Sequence, residues 1–89
     1  MGHIPPISGV PTEWSKRYVT LLERYTNNIK GIFYGHTHND QMARVRGLKS
    51  DEPVGAFFIL PSLTTMTDRL PALRIYDVDK DTNTIINYR

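Results

Sequence analysis

The chain has 89 residues, of which 39% are hydrophobic and 22% are charged, and its formal net charge is +2 at pH 7. This length allows one small domain, over residues 1–89. The weak and scattered positive charge is not the clustered basic face that nucleic-acid binding requires. Cysteine is absent, which excludes disulfide bonds and thiolate zinc sites, and no apolar stretch is long enough to cross a membrane.

A loop followed by a long amphipathic helix is predicted at the start of the chain. Residues 1–11 contain three prolines and two glycines, which disfavour both helix and strand. The helix is predicted to begin near Pro11 and Thr12 and to end near Asn27 and Asn28. Its apolar side chains recur with a 3.6-residue period at Trp14, Tyr18, Leu21, Leu22, Tyr25 and Ile29.

Five strands are predicted after the helix, which gives an α/β fold class. The nearly continuous apolar run at 29–34 and the run at 55–60 predict buried strands. Residues 41–46 predict a further strand. The runs at 72–78 and 84–89 flank a turn-forming sequence, DKDTN, and therefore predict an antiparallel hairpin. Loops are predicted at 47–53 and 62–71, and within the second we expect residues 64–70 to form a substrate-side loop.

The histidines lie in two short motifs, Gly2-His3 and Gly35-His36-Thr37-His38-Asn39-Asp40. The second motif directly follows a predicted buried strand, and ligands of α/β sheets bind beyond the carboxyl ends of strands. Neutral imidazole is a common ligand of zinc, iron, copper and nickel. Glycine before histidine allows close approach of the backbone and a tight turn. A His-x-His sequence is a weak signal on its own, and Asn39-Asp40 also suits an ordinary turn.

In combination, these motifs carry a more specific signal. The chain resembles the C-terminal half of the calcineurin-like metallophosphoesterase domain of acid sphingomyelinase and acid-sphingomyelinase-like phosphodiesterases. The resemblance covers nearly all of the sequence and lies in GHIPP at 2–6, Trp14, Tyr18, IKGIFYGHTHND at 29–40, PS at 61–62 and LRIYDVD at 73–79. Ile7 departs from it, because the family usually has glycine there.

The resemblance implies a fold, a chemistry and a site. The fold is part of a four-layer α/β/β/α sandwich, with one long helix, strands of a mixed sheet and a C-terminal hairpin. The chemistry is hydrolysis of phosphodiester or phosphoanhydride bonds with two metal ions, commonly zinc, which activate water and polarise the phosphoryl oxygens. His3 and His36 are assigned to one metal and His38 to the other, while Asn39 and Asp40 are candidates for orienting the imidazole rings.

The resemblance also implies a phosphodiester lipid or a nucleotide as substrate, and a secreted or lysosomal location. The family's Asp-x-His motif, bridging Asp and Asn-His pair do not occur in this sequence. We therefore expect the isolated chain to be inactive, and to expose a sheet edge that favours self-association or a complementing chain. One alternative is a non-catalytic binding or assembly module derived from the same fold. Another is a copper or nickel site formed by a free Met1 amine and His3.

Overall fold

The computed structural model describes residues 1–6, 10–49 and 52–89. The family difference expected at Ile7 lies outside these residues. The elements in chain order are α1 (Thr12–Arg24), β1 (Ile32–Tyr34), β2 (Gln41–Arg46), β3 (Pro53–Ile59), β4 (Tyr76–Val78) and β5 (Ile85–Tyr88). Within the described ranges, no helix is long and apolar enough to cross a membrane.

Helix α1 is confirmed as amphipathic but ends at Arg24, before the predicted end near Asn28. The Asn28 amide donates to the Tyr25 carbonyl over 2.9 Å, which is the tighter turn that follows many helices. The Thr26 hydroxyl donates to the Val54 carbonyl over 3.0 Å. These two hydrogen bonds turn the chain toward the sheet, and they compete with the hydrogen bonds that would continue the helix beyond Arg24.

The three-stranded sheet has the order β1-β3-β2, with β1 parallel and β2 antiparallel to β3. The predicted mixed sheet is therefore confirmed. Strand β2 has its predicted bounds, whereas β1 is shorter than the apolar run at 29–34, and β3 begins two residues earlier than predicted. In the sheet's register Tyr34 pairs with Ile59, and Gln41 pairs with the same residue from the other side.

One face of this sheet packs against α1 and forms the hydrophobic core. The register places Ile32 opposite Phe57 and Tyr34 opposite Ile59, so these side chains share a face. Tyr18 and Val19 of the helix pack against this core. Its buried members are Leu22, Ile32, Tyr34, Val45, Phe57 and Ile59.

The predicted apolar stripe of the helix is only partly buried. Trp14, Leu21 and Tyr25 are 48%, 52% and 45% exposed. The Trp14 ring stacks on Tyr18 with centroids 5.1 Å apart, so it covers a core residue from outside. A sheet of three short strands covers one ridge of a helix, and the flanks of the stripe therefore stay in contact with water.

The opposite face of the sheet packs against the β4–β5 hairpin through aromatic rings. Phe33 and Phe58 lie on this face, and the Tyr76 ring centroid is 5.2 Å and 5.4 Å from theirs. Tyr88 lies 6.3 Å from Phe58. The predicted antiparallel hairpin is confirmed, although its strands are shorter than 72–78 and 84–89. The described residues thus form a mixed α/β structure with a helix, a central sheet and a hairpin in layers.

Replacing Phe57 by alanine should come close to unfolding the chain. Phe57 is 1% exposed, and removing a buried phenyl ring costs about 3–5 kcal/mol. A domain of this size has a free energy of unfolding of roughly 4–13 kcal/mol. Urea denaturation followed by circular dichroism checks this loss. Leu63→Ala is the control, because Leu63 is 71% exposed, and a similar loss in that variant would contradict the assignment of the core.

The β4–β5 turn should weaken in acid. Asp79 accepts hydrogen bonds from the backbone amides of Thr82 and Asp81 and from the Thr82 hydroxyl, and these bonds lower the pKa of Asp79. A lowered carboxyl pKa stabilises the fold above the ordinary value of about 3.9 and loses that effect as pH falls through the folded pKa. The amide shifts of Asp81 and Thr82 in an NMR titration below about pH 4 measure this change. In Asp79→Asn, the change of the Thr82 amide shift over this pH range should be much smaller.

Candidate metal centre

Residues 2 and 3 lie beside the end of β1 through two backbone hydrogen bonds. The Gly2 amide donates to the Phe33 carbonyl over 2.9 Å, and the Gly35 amide donates to the His3 carbonyl over 3.0 Å. The first bond is made by the residue before Tyr34 and the second by the residue after it, so the start of the chain runs along the end of β1. This pairing delivers His3 to the loop that carries the other histidines.

His3 and His36 are in direct contact although they are 33 positions apart in the sequence. Nε2 of His3 lies 3.2 Å from Nδ1 of His36, and the rings meet edge to face with centroids 5.1 Å apart. Both side chains are exposed. The structure therefore brings together the two imidazoles that the sequence motifs assigned to one metal ion.

The loop of residues 35–40, here called the histidine loop, joins β1 to β2 across the end of β3. His36 and His38 have φ angles of 73° and 59°, in the left-handed region that costs an L-residue roughly 1–2 kcal/mol. The Thr37 amide donates to the Gly35 carbonyl over 2.9 Å. Backbone strain of this kind is concentrated at functional sites, and here it falls on both candidate ligands of the loop.

The two glycines that precede histidines have different roles. A Cβ atom on Gly2 would lie 2.6 Å from Cε1 of Tyr34, whereas one on Gly35 would meet its nearest atom, Nδ1 of His3, at 3.7 Å. Glycine is therefore needed at position 2 so that the backbone can lie close to the Tyr34 ring. The φ of Gly35 lies outside the left-handed region, so the left-handed conformations expected of glycine are adopted by His36 and His38.

The Tyr34 ring that excludes a side chain at Gly2 is itself firmly held. Tyr34 is buried, and its hydroxyl donates to the Tyr18 hydroxyl over 2.5 Å. Burial, followed by this hydrogen bond, raises the pKa of Tyr34. The helix thus fixes the ring on which residues 2 and 3 rest.

His38 is not joined to the other two histidines in a metal-binding group. Among the described residues, no group of three or more His, Asp or Glu side chains is close enough to share a metal ion. The Asn39 amide donates to the Thr37 hydroxyl over 3.4 Å. The assignment of His38 to a second metal stays a prediction.

The Asp40 carboxylate pairs with Arg74, a residue that the sequence did not single out. Arg74 Nε donates to Oδ2 of Asp40 over 3.0 Å, and its Nη2 contacts the same oxygen. These hydrogen bonds raise the pKa of Arg74. The partners are 34 positions apart, so no local pattern indicates the pair. The predicted role of Asn39 and Asp40 in orienting imidazoles stays a prediction.

An open cleft of about 490 Å³ adjoins His3 and is lined by Met1, Gly2, His3, Phe33, Tyr34, Gly35, Leu60 and Pro61. A neighbouring apolar cleft of about 390 Å³ shares part of this wall and extends to Leu63 and Leu73. Residues 64–70, the predicted substrate-side loop, are exposed and do not line either cleft.

A copper or nickel site at the start of the chain competes with this fold. Such a site needs the amide nitrogen of Gly2 in its deprotonated form as a ligand. In the structure that N–H group donates to the Phe33 carbonyl. Forming the site would therefore detach residues 2 and 3 from β1.

Comparison with known proteins gives relatives along nearly the whole chain. No family model matches. Sphingomyelin phosphodiesterase A of Dictyostelium discoideum is 37% identical over 91 residues, covering 99% of this chain and 16% of the relative. Sphingomyelin phosphodiesterase of Bos taurus is 36% identical over 80 residues, covering 89% and 13%. A cyclic GMP-AMP phosphodiesterase of Homo sapiens is 27% identical over 88 residues, covering 89% and 19%.

These relatives place the chain among phosphodiesterase sequences. Within that class it corresponds to one segment of the sphingomyelin phosphodiesterases, so the resemblance to acid-sphingomyelinase-like proteins is confirmed. The calcineurin-like metallophosphoesterase domain stays a prediction. The chain spans 16% or less of the length of the two sphingomyelin phosphodiesterases above.

Replacing Gly2 by alanine should separate the two imidazoles. The added methyl group overlaps the Tyr34 ring, and overpacking of this kind costs about 1–3 kcal/mol. We expect residues 2 and 3 to move away from β1 to relieve this overlap. The nuclear Overhauser contact between the His3 and His36 rings should then be lost. Gly35→Ala is the matched control and should keep that contact, since its methyl group fits. Retention of the contact in Gly2→Ala would contradict this account of the glycine.

Proposed function

We propose that this chain supplies imidazole ligands to the metal centre of a phosphodiester-hydrolysing enzyme. The observation that carries the proposal is the 3.2 Å separation between Nε2 of His3 and Nδ1 of His36. Homology to phosphodiesterases supports the reaction class. The ring contact and the homology support one proposal, because two exposed imidazoles at a strand end can both ligate a metal ion of such a centre.

Zinc fits the two nitrogen atoms. Zn–N bonds are about 2.0–2.1 Å long and structural sites are tetrahedral, which places two nitrogen ligands of one ion roughly 3.3 Å apart. The observed separation of 3.2 Å is close to this value. Imidazole nitrogen is also a ligand that zinc prefers. His3 and His36 would hold one ion, and His38 is proposed for a second.

In the complete enzyme, metal ions supply an activated water and polarise the phosphoryl group. The chain's own residues hold the imidazoles in place. The Gly2 and Gly35 backbone bonds keep His3 beside His36, and the Tyr34 ring supports residue 2. The open cleft beside His3 gives a phosphodiester access to this corner of the protein.

The remaining parts of the centre are proposed to come from residues outside this sequence. These are the family's Asp-x-His motif, its bridging Asp and its Asn-His pair, supplied by a longer protein or by a complementing chain, with the layers found here forming part of a four-layer sandwich. Without them, we expect no phosphodiesterase activity from the chain alone. The substrate of the whole enzyme is proposed to be a phosphodiester lipid or a nucleotide, and its location to be secreted or lysosomal.

Isothermal calorimetry of zinc binding to the chain tests the assignment of ligands. The chain should bind one zinc ion, and His3→Ala and His36→Ala should each weaken this binding by about tenfold or more. His38→Ala should affect this ion less, because His38 is assigned to the other metal. Glu13→Gln is the control, since the Glu13 side chain is 77% exposed on α1. Retention of zinc binding in both His3→Ala and His36→Ala, or equal loss in the control, would refute the proposal.

A further inference from the structure

We propose that Arg74 is a positioning residue for the histidine loop, acting from the hairpin layer through Asp40. The proposal rests on the proposed function, because it concerns the loop that carries His36 and His38. It assigns to Asp40 the role of an anchor for the backbone of this loop.

The histidine loop is strained in its middle and held at its two ends. His36 and His38 both have positive φ angles. At the first end, the Gly35 amide donates to the His3 carbonyl. At the other end, the Asp40 carboxylate is held by two nitrogens of Arg74. A conformation that is locally unfavourable persists only where its surroundings hold it, and these two contacts hold the ends of the loop.

The Arg74 guanidinium is well placed to act as a fixed support. Its side chain is 21% exposed, against 40% for Asp40, so it is the better-shielded partner. Its Cζ atom lies 4.4 Å from the centroid of the Tyr88 ring, a cation–π contact that orients the guanidinium plane. Charge-assisted hydrogen bonds from an oriented guanidinium are among the stronger polar contacts of proteins.

The backbone next to Arg74 is also fixed. The Ile75 amide donates to the Arg89 carbonyl over 2.7 Å, and the Arg89 amide donates back to the Ile75 carbonyl over 2.9 Å. The hairpin in turn packs on Phe33 and Phe58 of the central sheet. Asp40 therefore connects the histidine loop to a part of the molecule that lies on the far side of the sheet from α1.

This arrangement makes the geometry of the histidine loop depend on the docking of the hairpin. The anchor at Gly35 is His3, in the segment beside β1, whereas the anchor at Asp40 is Arg74, next to the hairpin. Loss of the Arg74 contact would release one end of a strained loop, and the left-handed residues between the anchors would relax. The loosened loop would then present its imidazoles in several orientations and would bind metal more weakly.

Amide hydrogen exchange of the metal-free chain tests the anchor directly. In Arg74→Gln, the hydrogen-bonded amides of Thr37 and Asn39 should exchange roughly 5- to 10-fold faster, relative to the amides of β3. Arg74→Lys should lie between this variant and the unmodified chain, because lysine keeps the charge but loses the planar fork. Arg89→Gln is the matched control: it removes another hairpin guanidinium, one that pairs with Asp77 at 3.6 Å, and should leave these two amides unchanged.

A double-mutant cycle separates the pair from its surroundings. If Asp40 and Arg74 act through each other, Asp40→Asn combined with Arg74→Gln should speed exchange no more than either substitution alone. Additive effects would overturn the proposal. Equal acceleration of the loop and β3 amides would overturn it too, because it would show a general loss of stability in place of a local release.

Zinc calorimetry on the same variants links the anchor to the site. Arg74→Gln should weaken zinc binding about 3- to 10-fold, with a smaller loss in Arg74→Lys and none in Arg89→Gln. If His3→Ala and His36→Ala leave zinc binding unchanged, the proposed function fails while the exchange experiment still decides whether Arg74 positions the loop. If zinc binds and Arg74→Gln leaves both exchange and affinity unchanged, the positioning role fails while the proposed function stands.

Discussion

The central strand β3 is the constraint on which the rest of the described structure depends. It pairs with β1 on one side and β2 on the other, and its successive side chains supply both faces of the sheet. Phe57 and Ile59 form the core under α1, while Phe58 between them contacts the hairpin. A shift of one residue in its register would exchange these faces, so this pairing fixes the helix, the sheet and the hairpin together.

The candidate metal centre follows from the position of that strand. Because β1 and β2 flank β3, the connection between them has to cross the end of the sheet, and this connection is the histidine loop. At the same edge of the sheet, the end of β1 holds residues 2 and 3 through hydrogen bonds of the Phe33 carbonyl and the Gly35 amide. Backbone pairing, which is indifferent to side-chain identity, thus places His3 beside His36.

Much of the fold could be predicted from local patterns. Two predictions that differ from the structure, the end of the helix and the burial of its apolar stripe, differ for physical reasons. The bounds of β2 and the presence of an antiparallel hairpin were predicted correctly, because apolar patterning and turn residues are local signals. The helix was predicted too long because hydrogen bonds of Thr26 and Asn28 divert the chain. Trp14, Leu21 and Tyr25 belong to the predicted apolar stripe of the helix, yet the width of a three-stranded sheet leaves them half-exposed.

The sequence by itself determined the elements, the family and the identity of the candidate ligands, because periodicity, turn residues and the two histidine motifs are legible in linear order. Only the tertiary structure decided which of those ligands meet. It brought His3 to His36, kept His38 out of a three-residue group among the described residues, and directed Asp40 to Arg74. The physical reason is that each contact joins residues more than 30 positions apart, and such distances are closed by strand register and layer packing, which no local pattern encodes.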